Sequence, residues 1–235
     1  MIYTMSGCKP IVTIDGPSGG GKSTVSRALA AKLQFTYLDT GAMYRAVAYQ
    51  CREQGVDPDD SDQLAALLAA LRIELLPPAE GEDDVRVLID GKDVGHFLRT
   101  PEMGMLASRV SALPLVRSSL TRLQQAMGAT GRIVAEGRDT GTVVFPRAAW
   151  KFFLDASPEV RARRRAAQLR SKGEQVDEQQ LLAQIIQRDK DDRERTIAPL
   201  KAAPDAHLID STGLSAEQVV HLMHETIRAS TCCPK

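Results

Sequence analysis

Four residues near the start of the chain set the first chemical constraint. Gly16, Gly21, Lys22 and Ser23 stand in GPSGGGKS at the spacing G-x-x-x-x-G-K-[ST]. The stretch Gly16, Pro17, Ser18, Gly19, Gly20, Gly21 can curl until successive backbone N–H groups face one anion. Lys22, Ser23 and Thr24 open a helical pattern, whose dipole and free N–H groups add to the same spot. Lys22 has the reach for β- and γ-phosphates, and the Ser23 hydroxyl suits the shell of a Mg²⁺ ion. IVTID runs into the loop as a strand, so strand, loop and helix all sit where the motif demands. The segment predicts a bound nucleoside triphosphate. A GTPase would need an N-K-x-D base reader, and the chain contains no asparagine. A large motor ATPase would need more than 235 residues, whereas a small kinase fits.

Moving a phosphoryl group between two anions requires cations around both. DTGAMYR (39–45) carries Tyr44 and Arg45 from a strand end into a helix. EGRDTGTVVFP (136–146) sets Arg138 and Asp139 directly after a strand, where charge is costly unless it meets a ligand or a partner. The plain alternatives are a helix-face Arg45 and a structural Arg138–Asp139 pair. Arg117, in LVRSSLTR, is uninformative by itself. In VRARRRAAQ, Arg161, Arg164 and Arg165 share a helix face, either solvated or closed on donor phosphates.

RDKDDRER (188–195) is eight consecutive charged residues. Its i,i+4 pairs, Arg188–Asp192, Asp189–Arg193, Lys190–Glu194 and Asp191–Arg195, all have opposite signs, each worth about 0.2–0.5 kcal/mol to a helix. Arg188, Asp192 and Arg195 also fall on one face, where two cations bracketing an acid could hold a phosphate and a sugar hydroxyl. Composition does not choose between these readings.

Five continuous apolar runs position these residues: 11–15, 35–39, 132–137, 150–156 and 206–211. Continuous rather than alternating runs predict parallel strands covered on both faces, with ligand chemistry at their carboxyl ends. All five end at or near an acid. Helices are predicted over 22–33 and 43–54, from Ser157, and over 177–195 and 215–229, giving an alternating α/β fold. Residues 57–100 break the rhythm as a small α+β insert, with a helix over 61–71 and a hairpin turning at Asp90-Gly91.

Thirty basic and thirty acidic residues cancel, so no global field draws a nucleic acid or a membrane. Aromatics at 4% argue against base stacking on single strands. Cys8, Cys51, Cys232 and Cys233 lack metal-ligand spacing and indicate a reducing compartment. No signal-peptide pattern opens the sequence, and no 18-residue apolar run occurs, so a cytoplasmic protein is expected.

In combination, IDGPSGGGKST, LDTGAMYRAVA, IVAEGRDTGTVVFP, KFFLDAS and RDKDDRERTIAPL closely resemble the bacterial cytidylate kinases, from about Pro10 to the last helix. The phosphate loop is shared with many proteins; DTGAMYR and EGRDTGTVVFP are far more specific. The resemblance implies an α/β P-loop core with a five-stranded parallel sheet covered by helices (10–56, 101–157 and 196–235). It adds an α+β insert that binds the nucleoside monophosphate (57–100) and a helical lid (158–195). It implies ATP with Mg²⁺ as donor, CMP or dCMP as acceptor, no nucleic-acid polymer or membrane partner, and a monomer. By the same resemblance Thr40, Arg117 and Asp139 read cytosine, with Tyr44 beside them on the acceptor side. Ser108, Arg188 and Asp192 meet the sugar. Arg45, Arg138 and Arg195 hold the acceptor phosphate and the transferring group, and Arg161, Arg164 and Arg165 close over ATP. Thr40 stands where family members often have Ser, which keeps the hydroxyl. Ser23 stands where many have Gly, nearer the general phosphate-loop pattern.

Overall fold

In chain order the elements are β1 (Ile11–Asp15), α1 (Lys22–Leu33), β2 (Thr36–Asp39), α2 (Thr40–Gln54), α3 (Ser61–Ala70), β3 (Ile73–Leu76), β4 (Arg86–Ile89), β5 (Lys92–Asp93), α4 (Pro101–Ser111), α5 (Pro114–Met127), β6 (Ile133–Gly137), β7 (Trp150–Asp155), α6 (Pro158–Arg170), α7 (Glu178–Glu194), β8 (His207–Asp210) and α8 (Ala216–Ala229). They come from a computed structural model, which describes residues 10–80, 84–171 and 173–230. Cys8, Cys232 and Cys233 lie outside the described residues, and Cys51 is a buried free thiol. The chain divides into two compact units, residues 10–38 with 127–230, and residues 39–126.

The first unit holds the expected five-stranded sheet, in the order β2-β6-β1-β7-β8. Its pairings β1–β6, β1–β7 and β7–β8 are parallel, and Ile14 lies opposite both Glu136 and Phe152. Val12, Ile14, Val134, Phe152 and Leu154 meet Leu29, Met223 and Ile227 of the helices in one buried cluster. That burial is why the strand runs are continuously apolar. Each strand lies within a residue of its predicted bounds at either end. β6 starts at Ile133 rather than at residue 132 because Arg132 takes a left-handed φ of 58°, its N–H bonded to Pro10 O at 2.6 Å. Side-chain caps set the helix starts: Ser157 on α6, Asp177 on α7, and a capping box of Ser215 with Gln218 on α8. The expected lid segment, 158–195, forms α6 and α7, which pack on one another.

The second unit contains α2 to α5 and an antiparallel sheet ordered β3-β4-β5, so the expected insert lies inside it. α2 begins at Thr40, three residues earlier than predicted, because the Asp39 carboxylate accepts from Ala42 N at 2.9 Å and caps it. The β4–β5 hairpin turns where expected, with positive φ at Asp90 (49°) and Gly91 (79°), the geometry of a type I′ turn. The sequence reading places no strand at 73–76, yet β3 forms there by pairing Ile73 with Ile89 and Leu75 with Val87. It also describes no helix over 101–111; Thr100 Oγ1 accepts from Met103 N at 3.1 Å and starts α4. Among the described residues, no helix is long and apolar enough to cross a membrane.

Candidate active site

Backbone constraints shape the loop first. At Gly16 a Cβ would sit 2.0 Å from the Leu154 carbonyl oxygen of β7, so no side chain fits. Gly21, at φ 83°, leads into α1 without a side-chain cap, which leaves the first N–H groups of that helix for an anion. Lys22 is buried and its Nζ donates to Pro17 O at 2.6 Å. Burial lowers its pKa to about 7; Arg138 and Arg188 push the same way, against Glu136 and Asp15. The half-buried Ser23 donates to Glu136 Oε1 at 2.7 Å, and Thr24 is exposed.

Asp15, at the end of β1, holds the segment after β6. Its Oδ1 accepts from Thr140 N (2.8 Å) and Thr140 Oγ1 (2.7 Å), and its Oδ2 from Gly141 N (2.7 Å). Burial raises the Asp15 pKa, although these hydrogen bonds and Lys22 pull it down. Thr140–Val144 is a single π turn, closed by Val143 and Val144 N–H groups on Asp139 O. Asp15 therefore fixes the backbone that presents Arg138 and Asp139.

These two meet α7. Arg138 Nε donates to Asp192 Oδ2 at 2.9 Å. Arg195 lies 3.5 Å from Asp139 and 3.8 Å from Asp192, and its Nε donates to Ala198 O at 2.6 Å. Burial would raise the Asp192 pKa, but Arg138, Arg188 and Arg195 together hold it below the usual carboxylate range. The structure thus gathers Lys22, Ser23, Arg138, Asp139, Arg188, Asp192 and Arg195 around the carboxyl ends of β1 and β6.

The charged run resolves accordingly. Lys190, Asp191, Arg193 and Glu194 are exposed, while Asp189 and Asp192 are buried and Arg188 and Arg195 half-buried. Two of the helical pairs expected from spacing give way to other partners. Asp189 pairs with Arg161 rather than Arg193, and Arg193 lies 3.9 Å from Asp155. Arg195 turns to Asp139 and Asp192 rather than Asp191, which accepts from Gln187 at 2.8 Å. Partners across the fold sit in lower dielectric and outweigh screened pairs on a helix surface.

The three arginines of α6 lie on its less exposed side, Arg161 buried and Arg164 and Arg165 half-buried, but they take different partners. Arg161 is 1% exposed and is committed to Asp189, Ala156 O and Ser18 O. Arg164 donates to Ser211 Oγ, Ser211 O and Leu214 O, which pins α6 to the segment after β8. Arg165 donates to Gln168 along its own helix.

In the second unit, Arg117 is buried, lies over the Tyr44 ring at 5.6 Å and donates to Ser111 O at 3.1 Å. Thr40 is buried at the first turn of α2, Arg45 is half-buried on the same helix, and Ser108 is half-buried on α4. Arg117, uninformative in sequence, is thus a desolvated cation against an aromatic face.

Asp15, Glu136 and Asp189 escaped the sequence reading as site residues. The available signal was their place: Asp15 and Glu136 end apolar strand runs, where an acid is costly without a task. The oxygen-only pair of Ser23 and Glu136 suits a hard cation such as Mg²⁺.

Comparison with known proteins gives concordant findings. The family described as "Cytidylate kinase" matches residues 12–229. A "Cytidylate kinase" from Vibrio cholerae serotype O1 is 50% identical over 216 residues, 92% of this chain and 95% of that protein. A "Bifunctional pantoate ligase/cytidylate kinase" from Synechococcus elongatus is 50% identical over 218 residues, 92% of this chain; the chain spans 41% of that longer relative. Among solved structures, an uncharacterized protein from Eubacterium ventriosum matches with a TM-score of 0.51 at 12% identity, over 94% of this chain and 99% of that one, a likeness of fold alone.

Proposed function

Because the chain belongs to the cytidylate kinase family, we propose that it transfers the γ-phosphoryl group of ATP to CMP or dCMP, giving ADP and CDP or dCDP. The observation that carries this reading is the crowding of like charges. Arg138 and Arg188 lie close enough to Lys22 to help lower its pKa to about 7. Cations held together against their own repulsion, at the mouth of a phosphate loop, are arranged for a polyanion.

The roles proposed are those the family resemblance implies for these residues. The loop backbone and Lys22 bind the donor phosphates. Arg138 and Arg195, oriented by Asp192 and Asp139, take the acceptor phosphate and the group in flight, and Arg45 supplies a further cation from α2. Arg188 and Asp192 meet the sugar with Ser108, while Thr40, Arg117 and Asp139 read the base beside Tyr44. Arg164 and Arg165 would need to leave their present partners to reach ATP. Mg²⁺ at Ser23 and Glu136 would neutralise donor phosphate charge. No protein nucleophile is required: positioning and charge neutralisation carry an in-line transfer.

The test is ADP release measured with CMP, dCMP, UMP, AMP and shikimate as acceptors. Release with CMP or dCMP well above the others is expected. Preference for UMP or shikimate would reassign the acceptor, and ATP binding without acceptor-dependent ADP release would reduce the protein to a nucleotide-binding switch.

A further inference from the structure

Asp189 is 2% exposed, and its charge partner Arg161 is 1% exposed. Spacing alone would lay Asp189 beside Arg193 on a solvated surface. It turns inward instead, at a desolvation cost that an ion pair of this depth seldom recovers as stability. What the pair supplies is geometry. The Arg161 guanidinium is a rigid planar fork, and its three engaged nitrogens tie together three segments. Nε donates to Ala156 O after β7 (2.9 Å), Nη1 donates to Ser18 O in the phosphate loop (2.9 Å), and Nη2 forms an ion pair with Asp189 Oδ2 on α7 (2.5 Å). The loop tip is pressed against the same arginine, since a Cβ on Gly19 would lie 3.2 Å from Arg161 Cβ. α7 also carries Arg188 and Asp192, adjacent to Asp189 and three residues beyond it.

We infer that Asp189 is a positioning residue for the donor loop: through Arg161 it fixes the Ser18–Gly19 tip against the helix that carries the acceptor-side Arg188 and Asp192. The inference rests on the kinase reading, because it takes the loop as the seat of the donor phosphates. Asp189 need not touch a nucleotide, and as an acid it would repel one.

The experiment compares three variants with the wild-type chain, by calorimetric affinity for β,γ-imido-ATP and for CMP and by melting temperature. Asp189→Asn should lower affinity for the ATP analogue about 3- to 30-fold, the range of couplings transmitted through packed networks. Arg161→Lys retains the charge opposite Asp189 but lacks the planar fork that holds Ser18 O, Ala156 O and Asp189 at once, and should show a similar loss with a smaller drop in melting temperature. The double variant R161M/D189L replaces the pair with apolar groups. It should recover melting temperature without recovering analogue affinity, which a purely structural pair would not do. Wild-type analogue affinity in a folded D189N or R161M/D189L protein overturns the inference. If D189N fails to fold, the double variant decides alone. Failure of the wild-type chain to bind the analogue would instead remove the kinase reading itself.

Discussion

Binding of a nucleoside triphosphate at pH 8 should draw a proton onto Lys22. In the unliganded protein its pKa is about 7, from burial first and then from Arg138 and Arg188. At pH 8 the ammonium is then populated to only about 0.09, and phosphates that require the cation must restore it, taking up about 0.9 proton per nucleotide. Apparent affinity should fall about 10-fold between pH 6 and pH 8, equivalent to ~1.4 kcal/mol, and by about another decade at pH 9. The assay is titration calorimetry in two buffers of different ionisation enthalpy, with Lys22→Met as the control that subtracts protons released or bound by the nucleotide itself. The same shift affects stability in a defined sense. Between about 7 and the ordinary lysine value of 10.5 the unfolded chain holds a proton that the folded chain lacks, so unliganded stability should rise with pH across that window. K22M should flatten the rise. Equal proton uptake by wild type and K22M, or a flat affinity from pH 6 to 9, would refute the reasoning.

Arg138→Met should reduce turnover by about 10²–10³-fold, as losing one preorganised charge-stabilising donor does elsewhere; steady-state ADP release measures it. The same variant should destabilise the fold by less than the ~3–5 kcal/mol typical of a broken buried pair, because Arg188 and Arg195 still face Asp192. Gly16→Ala should cost about 4 kcal/mol or prevent folding, read from denaturant midpoints, since the added Cβ meets a carbonyl oxygen rather than a movable side chain. Asp192 contributes stability that is present above the ordinary carboxylate pKa of 3.8 and lost as pH falls through its lowered folded value. Melting curves from pH 5 to pH 2 should therefore be less steep for Asp192→Asn than for wild type.

Sequence patterns of short range were the legible part. A strand buried on both faces, as β1, β6 and β7 are, has little choice of composition; the five apolar runs named the sheet to within a residue at either end, although the edge strand β8 is largely exposed, with Leu208 at 72%. The phosphate loop was legible because its glycines are required by local backbone geometry. Arg138, Asp192 and Arg195 were identified as candidates, and the structure brings them together. Spacing could not reveal the direction in which Asp189 faces. An i,i+4 partner exists in Arg193, and only the arrival of Arg161 from another helix decides otherwise. Nor could spacing reveal the partners of Arg161, since its backbone acceptors lie 5 and 143 residues away. β3 escaped because a four-residue run acquires its identity from β4, not from its own pattern.

The strand that carries the loop is made before both of its neighbours in the sheet, β6 and β7, which begin at Ile133 and Trp150. During translation, Ile11–Asp15 consequently waits for more than a hundred further amino acids before either neighbour can hydrogen-bond to it. A ribosome-bound fragment truncated before Ile133 exposes both edges of an apolar strand, the condition under which nascent chains recruit chaperones or aggregate. Arrest at successive lengths should therefore show protease resistance arriving late and abruptly, once the ribosome has released β7.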